Sequence, residues 1–284
     1  MEPRIIDTHC HVHFAAYDAD SRAVIEEALA AGIHMIVVGT QATTSKNAVV
    51  CAEQFGGVYA AVGLHPNHLH TMPIDEDELP TFLTRAEEFE MEYYRELAKH
   101  PKVVGIGETG FDAYRLPDGV SFDEVMQKQE KAFRQHLDLC TELGKPVIVH
   151  CRDAHSHVIR IFKEYLAAAK LDARGVLHCF TGTVEEAQEY VAMGFYISLS
   201  GIVTFPARKG QTENPLSSVA RSVPRDKLVI ETDSPYLTPM PHRGKRNAPS
   251  YVIHTAKHVA QLWGTTLEEV ERQTTVNARR LFRI

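Results

Sequence analysis

Cysteine is scarce in this sequence: five residues, an odd number at irregular spacing, offer no disulfide framework for 284 residues. They read as reduced thiols, and the chain as a cytoplasmic protein. Long apolar runs are also missing. None approaches the ~20 residues that a membrane-spanning helix needs, so no membrane association is expected. The opening MEPRIIDTHC has neither a basic nor an apolar leader region, so no signal peptide is expected. Positive charge is in deficit, with 30 Lys and Arg against 37 Asp and Glu, a formal net charge of −7. That excludes a global attraction for nucleic acid or anionic membrane, while leaving room for a local basic patch that binds phosphate. No Ser/Gly-rich linker or composition shift divides the chain, so residues 1–284 are read as one domain.

What is present is a regular alternation. Apolar, β-branched runs suited to buried strands begin at Arg4–Thr8, Met35–Gly39, Val58–Leu64, Val103–Gly107, Pro146–Val149, Gly175–Leu177, Phe195–Leu199 and Leu228–Ile230. Stretches with helical spacing separate nearly all of them: Asp20–Ala31, Thr43–Phe55, Thr81–His100, Phe122–Leu143, Ala154–Ala169 and Val184–Met193. A short helix near 215–221 and two closing helices, Pro249–Trp263 and Leu267–Leu281, follow. Eight strand–helix units in this length predict a (β/α)8 TIM barrel, with any site at the C-terminal ends of the strands. A doubly wound sheet would want a Gly-rich first turn, and THCHVHF stands there instead.

The polar residues fall at those strand ends. His9 and His11 sit one residue apart after Ile5-Ile6, so on a strand they share a face that Cys10 does not. Alone, His-X-His arises by chance in a chain with 16 histidines. Here His65, Glu108, His150, His178, Glu231 and Asp233 each follow or end another strand, and a barrel brings all of them to one mouth. Neutral imidazoles and carboxylates suit Zn2+ or Mn2+ with positions open for water. His9, His11, Glu108, His150, His178 and Asp233 are too many for one tetrahedral ion and suit two, a carboxylate bridging.

Among the remaining residues, His65 is placed to bind substrate or orient a water. Glu231, on the face of Asp233, is placed to hydrogen-bond a ligand or water. Arg152, Arg243, Lys245 and Arg246 could meet phosphate, although RGKR divides evenly between that role and a solvated charge run. Asp153 is a candidate helix N-cap. Cys151 and Cys179 are packing residues pointing away from any metal, His13 lies past its strand, and His34, His100, His136, His254 and His258 are expected at the surface.

The chain resembles the TatD-type metal-dependent hydrolases of the amidohydrolase superfamily. The motifs are IIDTHCH (5–11), GLHP (63–66), GIGETGFD (105–112), PVIVHCRDA (146–154), LHCFTG (177–182), ETDSPYL (231–237), RGKRN (243–247) and NARRLF (277–282). The resemblance implies one metal held by His9, His11, Glu108 and Asp233, and a second by Glu108, His150 and His178. Asp233 would take a proton from the attacking water. Three departures touch no implied ligand: Asn67-His68 after GLHP, a long 67–100 segment, and Ala248-Pro249 after RGKRN. A PHP-type phosphoesterase, which also starts with His-X-His, would end on an Asp-X-His pair, whereas Asp233-Ser234-Pro235 stands here. The resemblance implies a hydrolase with two divalent ions (Zn, Mn or Mg), most simply a deoxyribonuclease acting on nucleic-acid ends without an obligatory protein partner. The alternative is an ester or amide hydrolase, such as a D-aminoacyl-tRNA deacylase or small-molecule amidohydrolase. A non-enzymatic barrel is disfavoured, because every expected ligand position is filled.

Overall fold

Eight parallel strands pair in chain order in the computed structural model, which describes residues 2–73, 77–78, 84 and 86–284. They are β1 (Ile5–Cys10), β2 (Ile33–Val38), β3 (Val58–Val62), β4 (Val103–Asp112), β5 (Val147–Arg152), β6 (Gly175–Leu177), β7 (Tyr196–Leu199) and β8 (Leu228–Ile230). The ends of the sheet meet. Asp7 accepts from Thr232 N at 2.9 Å and from Thr232 Oγ1 at 2.6 Å, and Thr8 Oγ1 donates to Ile230 O at 3.1 Å. A parallel bridge joins Cys10 to Ser234. The result is the expected TIM barrel, nearly closed.

Two apolar layers follow from the period of a strand. Ile6, Ile36, Ala61, Val104, Ile148, Val176, Tyr196 and Val229 pack in one buried cluster, and only a barrel interior can be reached from all eight strands. Alternating neighbours such as Ile5, Met35, Val37, Ala60 and Val103 join the larger cluster beneath the helices. The helices are α1 (Ser21–Ala30), α2 (Ala42–Glu53), α3 (Met91–Ala98), α4 (Phe122–Leu143), α5 (His155–Ala167), α6 (Val184–Ala192), α7 (Pro215–Ser222), α8 (Val252–Trp263) and α9 (Leu267–Phe282). Ala278, Leu281 and Phe282 of α9 join the inner cluster.

Several expectations are corrected. The helix read over Thr81–His100 is α3 alone; residues 84 and 86–90 are not helical, and 81–83 and 85 lie outside the described residues. Strand β4 runs on to Asp112, so Glu108 sits within it rather than at its end. Gly107 and Gly110 permit this. At φ +144° and +141° they lie against β5, where a Cβ would come within 2.4 Å of Ile148 O and 2.0 Å of His150 O. The N-cap of α5 is Ala154, not Asp153.

His136, expected at the surface, is fully buried in α4. Its Nδ1 donates to Ala132 O at 2.7 Å, and its Nε2 accepts from Leu64 N at 2.9 Å. The ring thus satisfies a backbone donor that β3 leaves unpaired where it ends. His34, His100, His254 and His258 are partly exposed.

Burial holds the His136 ring at a pKa of about 3, well below its ordinary value. The unfolded chain therefore binds one more proton than the native chain between about pH 6.5 and that value. Stability rests on this ring above the window and is lost as pH falls through it, by up to ~1.4 kcal/mol per pH unit. His136→Gln should flatten that slope. Urea unfolding of both proteins across the window checks it, and parallel pH dependences would show that His136 does not titrate on unfolding.

Candidate metal centre

Glu108 is the hub of the barrel mouth. Its side chain is buried, and its two oxygens face different partners. Oε2 lies 3.2 Å from His9 Nε2, while Oε1 lies 3.1 Å from His150 Nδ1, 3.0 Å from His178 Nε2 and 3.4 Å from His65 Nε2. On the Oε2 side, His9 Nε2 and His11 Nε2 are 3.2 Å apart, and Asp233 Oδ1 lies 3.4 Å from His11 and 3.8 Å from His9. Asp233 adopts a left-handed backbone at φ +57°, which Asp tolerates better than most residues. Its N–H donates to His9 O at 2.9 Å, tying the carboxylate to β1.

Which nitrogen of each imidazole faces inward follows from what the other nitrogen does. His11 Nδ1–H donates to Val38 O at 2.7 Å, His178 Nδ1–H to Glu231 Oε1 at 2.9 Å, and His150 Nε2–H to Asp112 Oδ2 at 3.2 Å. In the neutral rings, each inner nitrogen then carries a lone pair, and each lone pair faces a carboxylate oxygen, itself only an acceptor. A cation between them resolves that opposition, so the donor set fits divalent metal. His9 Nδ1 is buried without a hydrogen-bond partner. Burial first, then the neighbouring His178, pushes the His9 pKa down to about 3, so this ring stays neutral, as a ligand must. Burial opposes the Glu108 carboxylate, yet His178, His65 and His9 hold its pKa well below the ordinary range.

His65 behaves differently. Its Nδ1 accepts from Asn67 N at 3.1 Å, so Nε2 of the neutral ring carries the hydrogen. His65 faces Glu108 and the cavity as a donor, which separates it from the rings whose inner nitrogens carry lone pairs.

Glu231 was expected to meet a ligand or water. Its Oε1 accepts from His178 Nδ1 and, at 2.6 Å, from Cys179 N, and its Oε2 accepts from Ser198 Oγ at 2.6 Å. It therefore acts by holding His178. Asp112, not singled out from the sequence, does the same for His150. The available signal was its even spacing from Glu108, which puts both on one strand face. Cys151 joins the outer core, and Cys179 Sγ lies 3.2 Å from Ser200 Oγ.

The centre lies in a cavity of about 650 Å³, whose basic lining includes Arg115, Arg152 and Arg208. Arg243, Lys245 and Arg246 are not part of that lining. The Arg246 guanidinium pairs in bidentate fashion with Asp20, at 2.9 and 2.5 Å, and Arg243 lies 4.5 Å over the Phe205 ring. Arg115 and Arg208 were missed. The first follows the GETGFD motif closely, whereas the second has no local signal. The cavity wall also carries Glu78, which accepts from His68 Nε2 at 2.8 Å and from Thr40 Oγ1.

Asp112→Asn offers an isosteric test. The Asn oxygen can still accept from Tyr114 N and Arg115 N, while its amide would present hydrogens to His150 Nε2. The imidazole proton would move to Nδ1 and block the inner lone pair. Cation affinity measured by chelator competition should fall by about 10- to 100-fold, with the melting temperature little changed; unaltered affinity would remove His150 from the ligand set.

Similarity to known proteins extends over essentially the whole chain. The family described as TatD related DNase matches residues 6–283. An uncharacterized metal-dependent hydrolase, YabD of Bacillus subtilis, is 39% identical over 283 residues, covering 99% of each chain. The 3'-5' ssDNA/RNA exonuclease TatD of Cronobacter sakazakii is 35% identical over 283 residues, covering 98% of this chain and 97% of its own. The crystal structure of YJJV, a TatD homolog from Escherichia coli, superposes with a TM-score of 0.82 at 27% identity, covering 100% of both chains. A barrel of this form, a mouth built for cations and whole-length similarity lead to one assignment: the chain belongs to the TatD-related DNase family and is a metal-dependent hydrolase.

Proposed function

We propose that this enzyme, as one domain over residues 1–284, hydrolyses phosphodiester bonds at nucleic-acid ends with two divalent ions, Zn, Mn or Mg. His9, His11, Glu108 and Asp233 would hold one ion, and Glu108, His150 and His178 the other. The observation that carries this reading is Glu108 turning one oxygen toward each set of imidazoles. A bound pair of divalent ions supplies an acidified water and positive charge beside a phosphoryl oxygen.

The chain's own residues do the rest. Asp233, the carboxylate nearest both His9 and His11, accepts the proton of the attacking water. His65 offers its Nε2–H to a substrate oxygen. Glu231 and Asp112 keep His178 and His150 in the ligating tautomer. Arg115, Arg152 and Arg208 meet phosphate oxygens; Arg243, Lys245 and Arg246 are not needed for that. Similarity to the 3'-5' ssDNA/RNA exonuclease TatD of Cronobacter sakazakii supports a single-stranded substrate. The net charge of −7 fits a short end rather than a long duplex, whose binding rests on many phosphate contacts. Five unpaired thiols fit a reducing, cytoplasmic setting, and the reaction calls for neither a membrane nor a protein partner.

One observation favours a second reading. The Glu78 carboxylate on the cavity wall would repel phosphate and attract an ammonium, as on an aminoacyl ester.

Dialysis against a strong chelator should abolish activity, and Zn2+, Mn2+ or Mg2+ should restore it. The reloaded enzyme is then assayed on single-stranded DNA, RNA, aminoacyl-tRNA and simple carboxylic esters. Shortening of the oligonucleotides is expected; deacylation without strand cleavage would replace this reading with the second. Asp233→Asn should lower turnover by about 100- to 10,000-fold, the range for loss of a general base. Turnover at the wild-type rate would mean that the proton goes elsewhere.

A further inference from the structure

Tyr114 is the most open of the exposed large apolar side chains among the described residues, at 63%. It nevertheless sits on a fixed support. Tyr114 N and Arg115 N donate to Asp112 Oδ1 at 2.9 and 2.8 Å, and Ala113 N donates to Arg152 O at 2.9 Å. One face of the ring is covered by the Arg152 guanidinium, 3.7 Å from the ring centroid. Tyr114 and Arg152 line the same cavity as Glu108 and Asp233.

We propose that Tyr114, backed by Arg152, is a stacking shelf for a nucleobase of the single strand that feeds the metal centre. This rests on the phosphodiesterase reading above. An exposed ring at a cavity mouth gains by covering its open face, and every base offers a flat π surface, whatever the sequence. The guanidinium behind the ring adds a cation–π contact and keeps a positive charge within reach of the adjoining phosphate. Bases in a duplex have their faces occupied by neighbours, so the shelf selects unpaired strands. Asp112 ties the shelf to the chemistry, since its other oxygen orients His150.

The test uses the metal-loaded enzyme and short phosphorothioate-linked oligonucleotides that resist cleavage, each with 2-aminopurine at one position near an end. The fluorescence should be quenched on binding at one position. Tyr114→Ala should abolish that quenching and weaken binding by about 5- to 150-fold, while Tyr114→Trp should retain both. Circular dichroism and metal content establish that each variant is folded and loaded. Equal quenching and affinity in wild type and Tyr114→Ala would overturn the shelf. Wild-type turnover of bis(p-nitrophenyl) phosphate tells the two levels apart. No turnover of any phosphodiester would overturn the proposed function, whereas turnover with no quenching at any position would overturn the shelf alone.

Discussion

One buried carboxylate sets the terms for the barrel mouth. Glu108 cannot be desolvated as an anion unless charge or hydrogen bonds surround it, because an isolated buried charge costs far more than a domain's net stability allows. Four imidazoles crowd around it, His65 as a hydrogen-bond donor and the other three through a cation they would share with it, and they come from four separate places: β1, the segment after β3, β5 and the segment after β6. They can meet only if a sheet curls until its strand ends converge. The glycines beside Glu108 serve the same end, since side chains there would collide with β5.

The outer partners of the histidines matter as much as the inner geometry. A carbonyl fixes His11, Asp112 fixes His150 and Glu231 fixes His178, each by taking the hydrogen from the far side of the ring. Asn67 N does the reverse to His65. Rings at similar distance from the same carboxylate are thereby sorted into those that turn a lone pair inward and one that turns a hydrogen inward. Proximity alone would have grouped His65, Glu108 and His150 as one cation set.

The barrel and most of the mouth were legible in the sequence because both rest on short-range periodicity. An apolar run followed by His9-Cys10-His11 declares its inward face within a few residues. What was not legible depends on partners far along the chain. Nothing near Arg246 announces Asp20, 226 residues away, with which its guanidinium pairs. Nothing in α4 announces that His136 will cap the end of β3. The helical pattern of 81–100 gave way to a shorter α3, and the charges that suggested a long helix carry no record of where the chain leaves it. Asp112 lay between these cases: visible by spacing, but meaningful only once His150 was known to face it.

The seam between β1 and β8 has a consequence for how the enzyme comes into being. Asp7 and His9 are made long before their partners Thr232 and Asp233, yet the seam closes through these later residues. At ordinary elongation rates the interval between residue 11 and residue 233 is roughly 10 to 45 s. Through all of that time the growing polypeptide has His9 and His11 without the carboxylate that faces them. The mouth is therefore assembled only once β8 has been made, and a chain cut short before residue 233 lacks both the seam and the carboxylate that faces His9 and His11.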